Sequence, residues 1–254
     1  MHWQDLTKSI GQILITIAVP VTLTVIAVRL VMSPWFLVVE YNRPGFPEDP
    51  YGFTTEQRLE YAPPAVTYLT NRADITYLSD LRLPREEVPI GICVIDPEDP
   101  TLCVRFNERE LRHMVDVKHV TQGTFRFGTV VALLGAVSIF YLSRTSPAHL
   151  RIGLTGGSLL TFGIIGVIIV MALTAWDFFF TGFHRIFFEG DTWLFRYSDT
   201  LIRLFPEQFW FDAAIVIGTF VVVGALTIFM VTWLWGRRIG KETESTSVER
   251  IRAG

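Results

Sequence analysis

Four long apolar runs dominate the chain: Ile10 to Met32, Phe127 to Ser143, Ile152 to Trp176 and Ala213 to Trp235. About 20 apolar residues in a helix suffice to cross the hydrocarbon core of a bilayer, so each run is predicted to be a membrane-spanning helix. Pro20 and Arg29 in the first run are tolerable, because neighbouring helices accommodate a proline and a terminal arginine can snorkel to the interface. The second run, flanked by Arg126, is the shortest, and the last two carry no charge. The first run exceeds the roughly 7 to 15 residues of a signal-peptide core, and Val31-Met32-Ser33-Pro34-Trp35 is a poor small-residue cleavage site, so a retained span is expected. In the third run Gly153 and Gly157 form a GxxxG pair, followed by Gly163 and Gly166. Small residues permit close helix approach, but glycine is also simply common in membrane spans, and the pattern supports both readings equally.

Between the first two runs the pattern changes. Prolines and glycines punctuate residues Arg43 to Phe53 too often for regular structure, and an ordered loop is expected. Thr54 with Gln57 has the form of a capping box, and Leu59, Pro63, Val66 and Leu69 recur at helical spacing, with Pro63-Pro64 kinking or splitting the helix. Gly91 to Ile95 and Thr101 to Phe106, separated by Asp96-Pro-Glu-Asp-Pro100, read as a hairpin. Asn107 with Glu110 then marks the start of a helix from Glu108 to about Val120. Between the third and fourth runs lie fourteen aromatic residues from Trp176 to Phe211, a density that belongs at lipid headgroup depth rather than in open water. Within this segment Ser198 to Phe205 reads as a short helix, with Asp199 and Arg203 at i, i+4 spacing.

Composition agrees with a membrane protein. Half the residues are hydrophobic, only 19% are charged against about 25% in soluble domains, and mean hydropathy is +0.38. The net charge of -3 gives no basic footprint for nucleic acid, and no glycine-rich phosphate loop precedes a helix. Charge bias sets the expected orientation. The short loop Arg144 to Arg151 holds two arginines and no acid, and the tail after Trp235 is rich in Arg and Lys, so both are assigned to the cytoplasm. Ser33 to Gly123 has 9 basic and 15 acidic residues, and Thr174 to Asp212 has 3 and 6, so both are assigned outward. The expected fold is a membrane all-α four-helix transmembrane bundle with a small α+β extracytoplasmic domain. The expected segments are a first transmembrane helix in 1–33, the extracytoplasmic domain in 34–123, helices two and three in 124–176, an aromatic interfacial outer loop in 177–212, the fourth helix in 213–236 and a cytoplasmic tail in 237–254.

Candidate chemistry is confined to a few positions. Cys93 and Cys103 lie in the hairpin on the face assigned to an oxidising compartment, where a disulfide is expected, the alternative being two small buried thiols. Of five histidines, His2 and His149 read as solvated and His119 as interfacial, which leaves His113 and His184. Each lies about ten residues from a span on the outer side, so both can reach one depth. Glu110, His113 and Asp116 share a helix face at i, i+3 steps. Histidine suits proton transfer near neutrality, while a carboxylate-bonded interfacial histidine has the same spacing.

Glu110-Leu-Arg-His113-Met-Val-Asp116-Val-Lys118, Phe183-His184-Arg-Ile-Phe-Phe188, Asp199-Thr-Leu-Ile-Arg203-Leu-Phe-Pro-Glu207 and the Pro44 to Phe53 loop together resemble the Lit family of lipoprotein intramolecular transacylases. The resemblance implies an enzyme of the bacterial cytoplasmic membrane, active on its outer face. It would move one acyl chain of a diacylated lipoprotein from the glyceryl ester to the amine of the N-terminal cysteine. It implies His113 and His184 as the catalytic pair. Glu110, Asp116, Arg185, Asp199 and Arg203 are expected to orient the histidines or hold substrate. Beyond the lipoprotein and membrane lipids, no nucleic acid, cofactor or metal is implied. Two other functions fit the residues: a zinc hydrolase with His113, Asp116 and His184 as ligands, and a noncatalytic scaffold or lipid-binding protein.

Overall fold

The computed structural model describes residues 3–88, 91, 93–188, 190 and 192–252, with side chains as far as residue 238. In chain order the elements are α1 (Trp3–Val31), α2 (Pro34–Tyr41), α3 (Thr55–Tyr61), α4 (Pro63–Thr70), α5 (Thr76–Ser79), β1 (Arg82–Pro84), β2 (Leu102–Val104), α6 (Glu108–Thr145), α7 (Pro147–Thr174), α8 (Trp176–Phe187), α9 (Thr200–Leu204) and α10 (Glu207–Arg252). Four helices, α1, α6, α7 and α10, are long and apolar enough to cross a membrane, and the chain is a multi-pass integral membrane protein. The helix expected over Glu108 to Val120 and the second span are one continuous element, α6. No proline separates them, and the lone Gly123 costs a helix only about 1 kcal/mol, too little to end it. Likewise α10 begins before its apolar run and continues through the segment expected as a tail.

The chain divides into two compact units. One comprises residues 1–27, 126–170 and 217–254, and the other residues 28–125 and 171–216. In the first, Ile15 and Val19 of α1, Leu142 of α6 and Leu150 of α7 form a buried cluster joined by Ile228 and Trp235 of α10. A second cluster joins Ala27, Ile165 and Val221. Large apolar side chains such as Leu133, Val137, Phe140, Val167 and Val223 point outward, as a lipid solvent requires. Of the four glycines noted on α7, only the GxxxG pair sits against a neighbour. A Cβ on Gly157 would lie 2.7 Å from Val19 Cβ and 3.1 Å from the Thr16 carbonyl oxygen, whereas Gly163 and Gly166 face open space. Close backbone approach also lets the Thr16 hydroxyl donate to the Gly153 carbonyl at 3.2 Å.

The second unit is built from short elements around Phe36, Tyr41, Phe53, Tyr68, Leu78, Leu83, Phe106 and Leu204, all buried. Ser33 caps α2 ahead of Pro34, and the expected capping box of Thr54 and Gln57 starts α3. The chain breaks at Ala62 before Pro63, which splits the expected helix into α3 and α4. The hairpin is present with a different main partner. β2 pairs antiparallel with β1, Leu83 opposite Cys103, while the preceding arm joins it through the single bridge Ile95 to Cys103 and flanking backbone bonds. Ile92 in that arm lies outside the described residues. Arg82-Leu-Pro84 gave no strand signal, because an arginine and a proline flank its one buried residue. Cys93 and Cys103 are joined as a disulfide.

Gly157→Ala is expected to destabilise the protein by about 1–3 kcal/mol through overpacking against Val19, and Gly163→Ala to be neutral or slightly stabilising. Thermal unfolding in detergent distinguishes them; equal effects of the two substitutions would contradict this packing.

Candidate active site

His113 is positioned by the start of α6. Asn107 Oδ1 accepts from the backbone N–H groups of Arg109 and Glu110 at 3.0 and 3.1 Å, and Glu110 Oε2 accepts from the Asn107 N–H at 2.6 Å, which completes a reciprocal cap. The other Glu110 oxygen accepts from Leu201 N–H at 2.5 Å. Glu110 is only 1% exposed, so its carboxylate ties the first turn of α6 to α9. It does not hydrogen-bond His113, one turn on, and bears on that ring only through the start of the helix. Asp116 and the exposed Arg185 make no side-chain hydrogen bond among the described residues, and Lys118 of the same motif fixes residues Asn71 and Ala73 and lies 3.8 Å over the Tyr68 ring.

Asp199 and Arg203, four residues apart, take separate partners. Asp199 accepts from the Asn107 amide and the Arg196 N–H, and Arg203 turns to Asp49, with Nε and Nη2 at 2.9 and 2.8 Å from Oδ2. Both side chains are almost wholly buried, and the guanidinium stacks 3.4 Å over Phe53, whose N–H also reaches Asp49. Arg58 donates to the carbonyls of Arg203 and Pro47. Two arginines thus hold the Pro44 to Phe53 loop against α9. Asp49 was not singled out in the sequence, where it sits among prolines and gives no periodic signal.

His184 comes from α8, the helical part of the segment expected as an aromatic loop. Trp176, Phe180 and His184 recur at four-residue steps on one face, while Phe178 and Ile186 are exposed on another. The His113 and His184 rings stack with centroids 6.2 Å apart and planes 20° from parallel. Around them, Phe188 and Phe195 meet His113 edge-on at 4.9 and 5.2 Å, and Phe180 and Trp193 lie 4.2 and 4.9 Å from His184. His113 is 7% exposed, and its buried Nδ1 has no partner among the described residues. The same holds for the indole Nε1 of Trp193. His184 Nδ1 is 2.8 Å from the Phe180 carbonyl oxygen. A carbonyl only accepts, so this nitrogen carries the proton in the neutral ring and Nε2 keeps the lone pair. Burial holds the His184 imidazole below its ordinary pKa of 6.5, opposed by the Phe180 carbonyl.

The arrangement is therefore two adjacent imidazoles, one with a defined lone pair, and a free indole N–H, all walled by phenylalanine. Proton transfer beside an apolar group is what it can do. His113, Asp116 and His184 do not converge as a three-ligand metal set among the described residues.

A sequence profile described as "Lipoprotein intramolecular transacylase Lit" matches residues 13–210. The chain belongs to the Lit family. It is accordingly an acyltransferase, a lipoprotein intramolecular transacylase. Its fold is shared with the in meso structure of Lit from Bacillus cereus, at a TM-score of 0.71 and 18% identity over 95% of this chain and 99% of that one. A form of the same Bacillus cereus protein with one histidine replaced by arginine gives 0.65, at 18% identity over 96% of each chain. A protein of Aquifex aeolicus (strain VF5) described as uncharacterized is 28% identical over 235 residues, 92% of this chain and 97% of the relative. Both histidines and the Asp49 and Arg203 pair fall inside the segment that matches the Lit profile.

Arg203→Met leaves a buried carboxylate without its counter-charge and is expected to cost about 3–5 kcal/mol, part of which Asp49→Asn in the same chain restores. Thermal unfolding in detergent checks both; an Arg203→Met protein as stable as the parent would overturn this account of the loop.

Proposed function

We propose that His113 and His184 are the catalytic pair and that the acyl chain moves from a glyceryl ester oxygen to the amine of the lipidated N-terminal cysteine. The observation that carries this reading is the stacking of the two rings, 71 positions apart in sequence, inside one aromatic enclosure. An α-amine has a pKa of about 7.7–8.0 and attacks only when neutral. As its nitrogen adds to the ester carbon, His184 Nε2 takes the proton and the carbonyl oxygen becomes an oxyanion. Collapse of that intermediate breaks the bond to the glyceryl oxygen, which leaves as an alcohol with a proton from the imidazole pair. The acyl group ends as an amide, more stable than the ester, so no external energy source is needed.

His113 sits where it can stabilise the oxyanion or protonate the departing oxygen, and the unpartnered indole N–H of Trp193, beside His184, is a second donor for the oxyanion. Sequence reading treated Trp193 only as one of many interfacial aromatics. The amine and ester belong to one molecule, so holding them together supplies several kcal/mol of the barrier reduction. The phenylalanines of α8 suit acyl chains. With the charge bias of the loops, this reading puts the reaction on the outer face and both termini in the cytoplasm.

The test is mass spectrometry of a diacylated tester lipoprotein, which should appear in its N-acylated lyso form. His113→Ala and His184→Ala should each lower the rate about 10²- to 10⁴-fold, and full activity in the double variant would end the proposal. Trp193→Phe keeps the ring but loses the N–H, and kcat should fall about 10- to 100-fold with KM little changed. The neutral amine that attack requires gives kcat/KM an acid limb at about pH 7.7–8.0 whatever the base is. Burial holds His184 below its ordinary pKa of 6.5, so this ring should add a further fall only below that value, and a further fall above it that disappears in His184→Ala would contradict the assignment.

A further inference from the structure

The segment from Trp193 to Asp199 has two sides. Trp193 and Phe195 meet the imidazoles, whereas Arg196 and Asp199 line a cleft of about 560 Å³. Val94, Val104, Phe106 and Leu111 form the apolar part of its lining, and Glu108 and Arg109 are shared with a neighbouring recess of about 340 Å³ that Thr192 also lines. Thr192 Oγ is buried without a partner among the described residues. The two hollows share Glu108 and Arg109, and Thr192 of the smaller one directly precedes Trp193, which meets His184.

The polar groups of the larger cleft are mostly committed. Glu108 pairs with Arg112, Arg109 donates to the Leu194 carbonyl, and Asp199 accepts from Asn107 and from the Arg196 N–H. The Arg196 guanidinium is exposed and has no side-chain partner among the described residues. Val94 and Val104 are bonded through their backbones at 2.9 Å, and each directly follows a half-cystine, so the Cys93 to Cys103 disulfide fixes this wall.

An apolar wall and one uncommitted cation, with a buried unpartnered hydroxyl in the recess that shares Arg109, suit a short extended peptide better than an acyl chain, which would leave the hydroxyl and the cation unmet. We propose that this cleft receives the residues that follow the lipidated cysteine of the substrate, with Arg196 favouring a carboxylate side chain among them. The proposal rests on the transacylase reading above. It makes the extracytoplasmic segment a selector among lipoproteins and gives the disulfide a role in shaping that selection.

The experiment uses the full chain in detergent or liposomes with three synthetic substrates: a diacylglyceryl-cysteine amide, the same cysteine followed by a tetrapeptide containing Asp, and its Lys counterpart. The Asp peptide should exceed the cysteine amide in kcat/KM by about tenfold and the Lys peptide by about fivefold. Arg196→Glu should invert the order of Asp and Lys while leaving the cysteine amide within about twofold. Leu111→Trp, which fills the cleft, should bring the Asp peptide down to the level of the cysteine amide. Equal turnover of all three substrates by the parent protein, or an equal effect of Arg196→Glu on all three, would overturn the peptide site while leaving the transacylase reading intact. Turnover of none by the parent would overturn both.

Discussion

The charge on Arg203 has almost no access to water, and it is tolerable only because Asp49 lies against it on one side and the Phe53 ring on another. This pair constrains far more than two residues. Asp49 belongs to a loop whose prolines prevent regular backbone hydrogen bonding, so the loop takes its shape from Arg203 and Arg58. Arg203 belongs to α9, whose Leu201 N–H is held by Glu110, and Glu110 caps α6 one turn before His113. A line of buried, charge-assisted bonds therefore runs from the proline loop to the helix that carries one imidazole. Such bonds are strong where water is excluded, and none of them touches His113 itself.

His184 is held by the opposite means. Its helix has few polar bonds, and its ring is placed by aromatic packing and by one backbone carbonyl. This division suits chemistry at the boundary between lipid and water. A rigid polar frame fixes one ring from the side of the folded segment, and a greasy wall that can accept hydrocarbon fixes the other. Had a carboxylate oriented the His113 ring, as the spacing of Glu110 and Asp116 suggested, that imidazole would be drawn toward its protonated form.

The four spans were legible because lipid imposes a long, charge-free period that nothing else in a protein mimics. The capping boxes at Thr54 and Asn107 were legible for an equally local reason, since both partners lie within three residues. What the pattern missed was set by distance. β1 is paired with a strand twenty residues on, and only its one buried leucine reports on that. The partnership of Arg203 with Asp49 spans 154 positions, beyond the reach of any local spacing pattern. α8 was hidden by its composition: almost every residue is aromatic or apolar, which signals interface depth but conceals the four-residue repeat of Trp176, Phe180 and His184. The histidines themselves were found through motif resemblance; spacing alone left them indistinguishable from interfacial residues.

The stacked rings also restrict the order of proton transfers. Two imidazolium ions with centroids 6.2 Å apart in an aromatic enclosure would repel one another strongly, since burial weakens the screening between like charges. At most one ring is cationic at any moment. In the proposed reaction the amine would arrive neutral or release its proton to a site where both rings are unprotonated, and that proton would leave with the glyceryl oxygen before another amine is activated. Because His184 Nδ1 is committed to Phe180, Nε2 is the nitrogen of that ring that would accept this proton, while His113 Nδ1 is buried without a partner among the described residues. In the proposed mechanism the pair would act as one proton carrier with two positions, suited to a reaction that consumes and returns a single proton within one substrate.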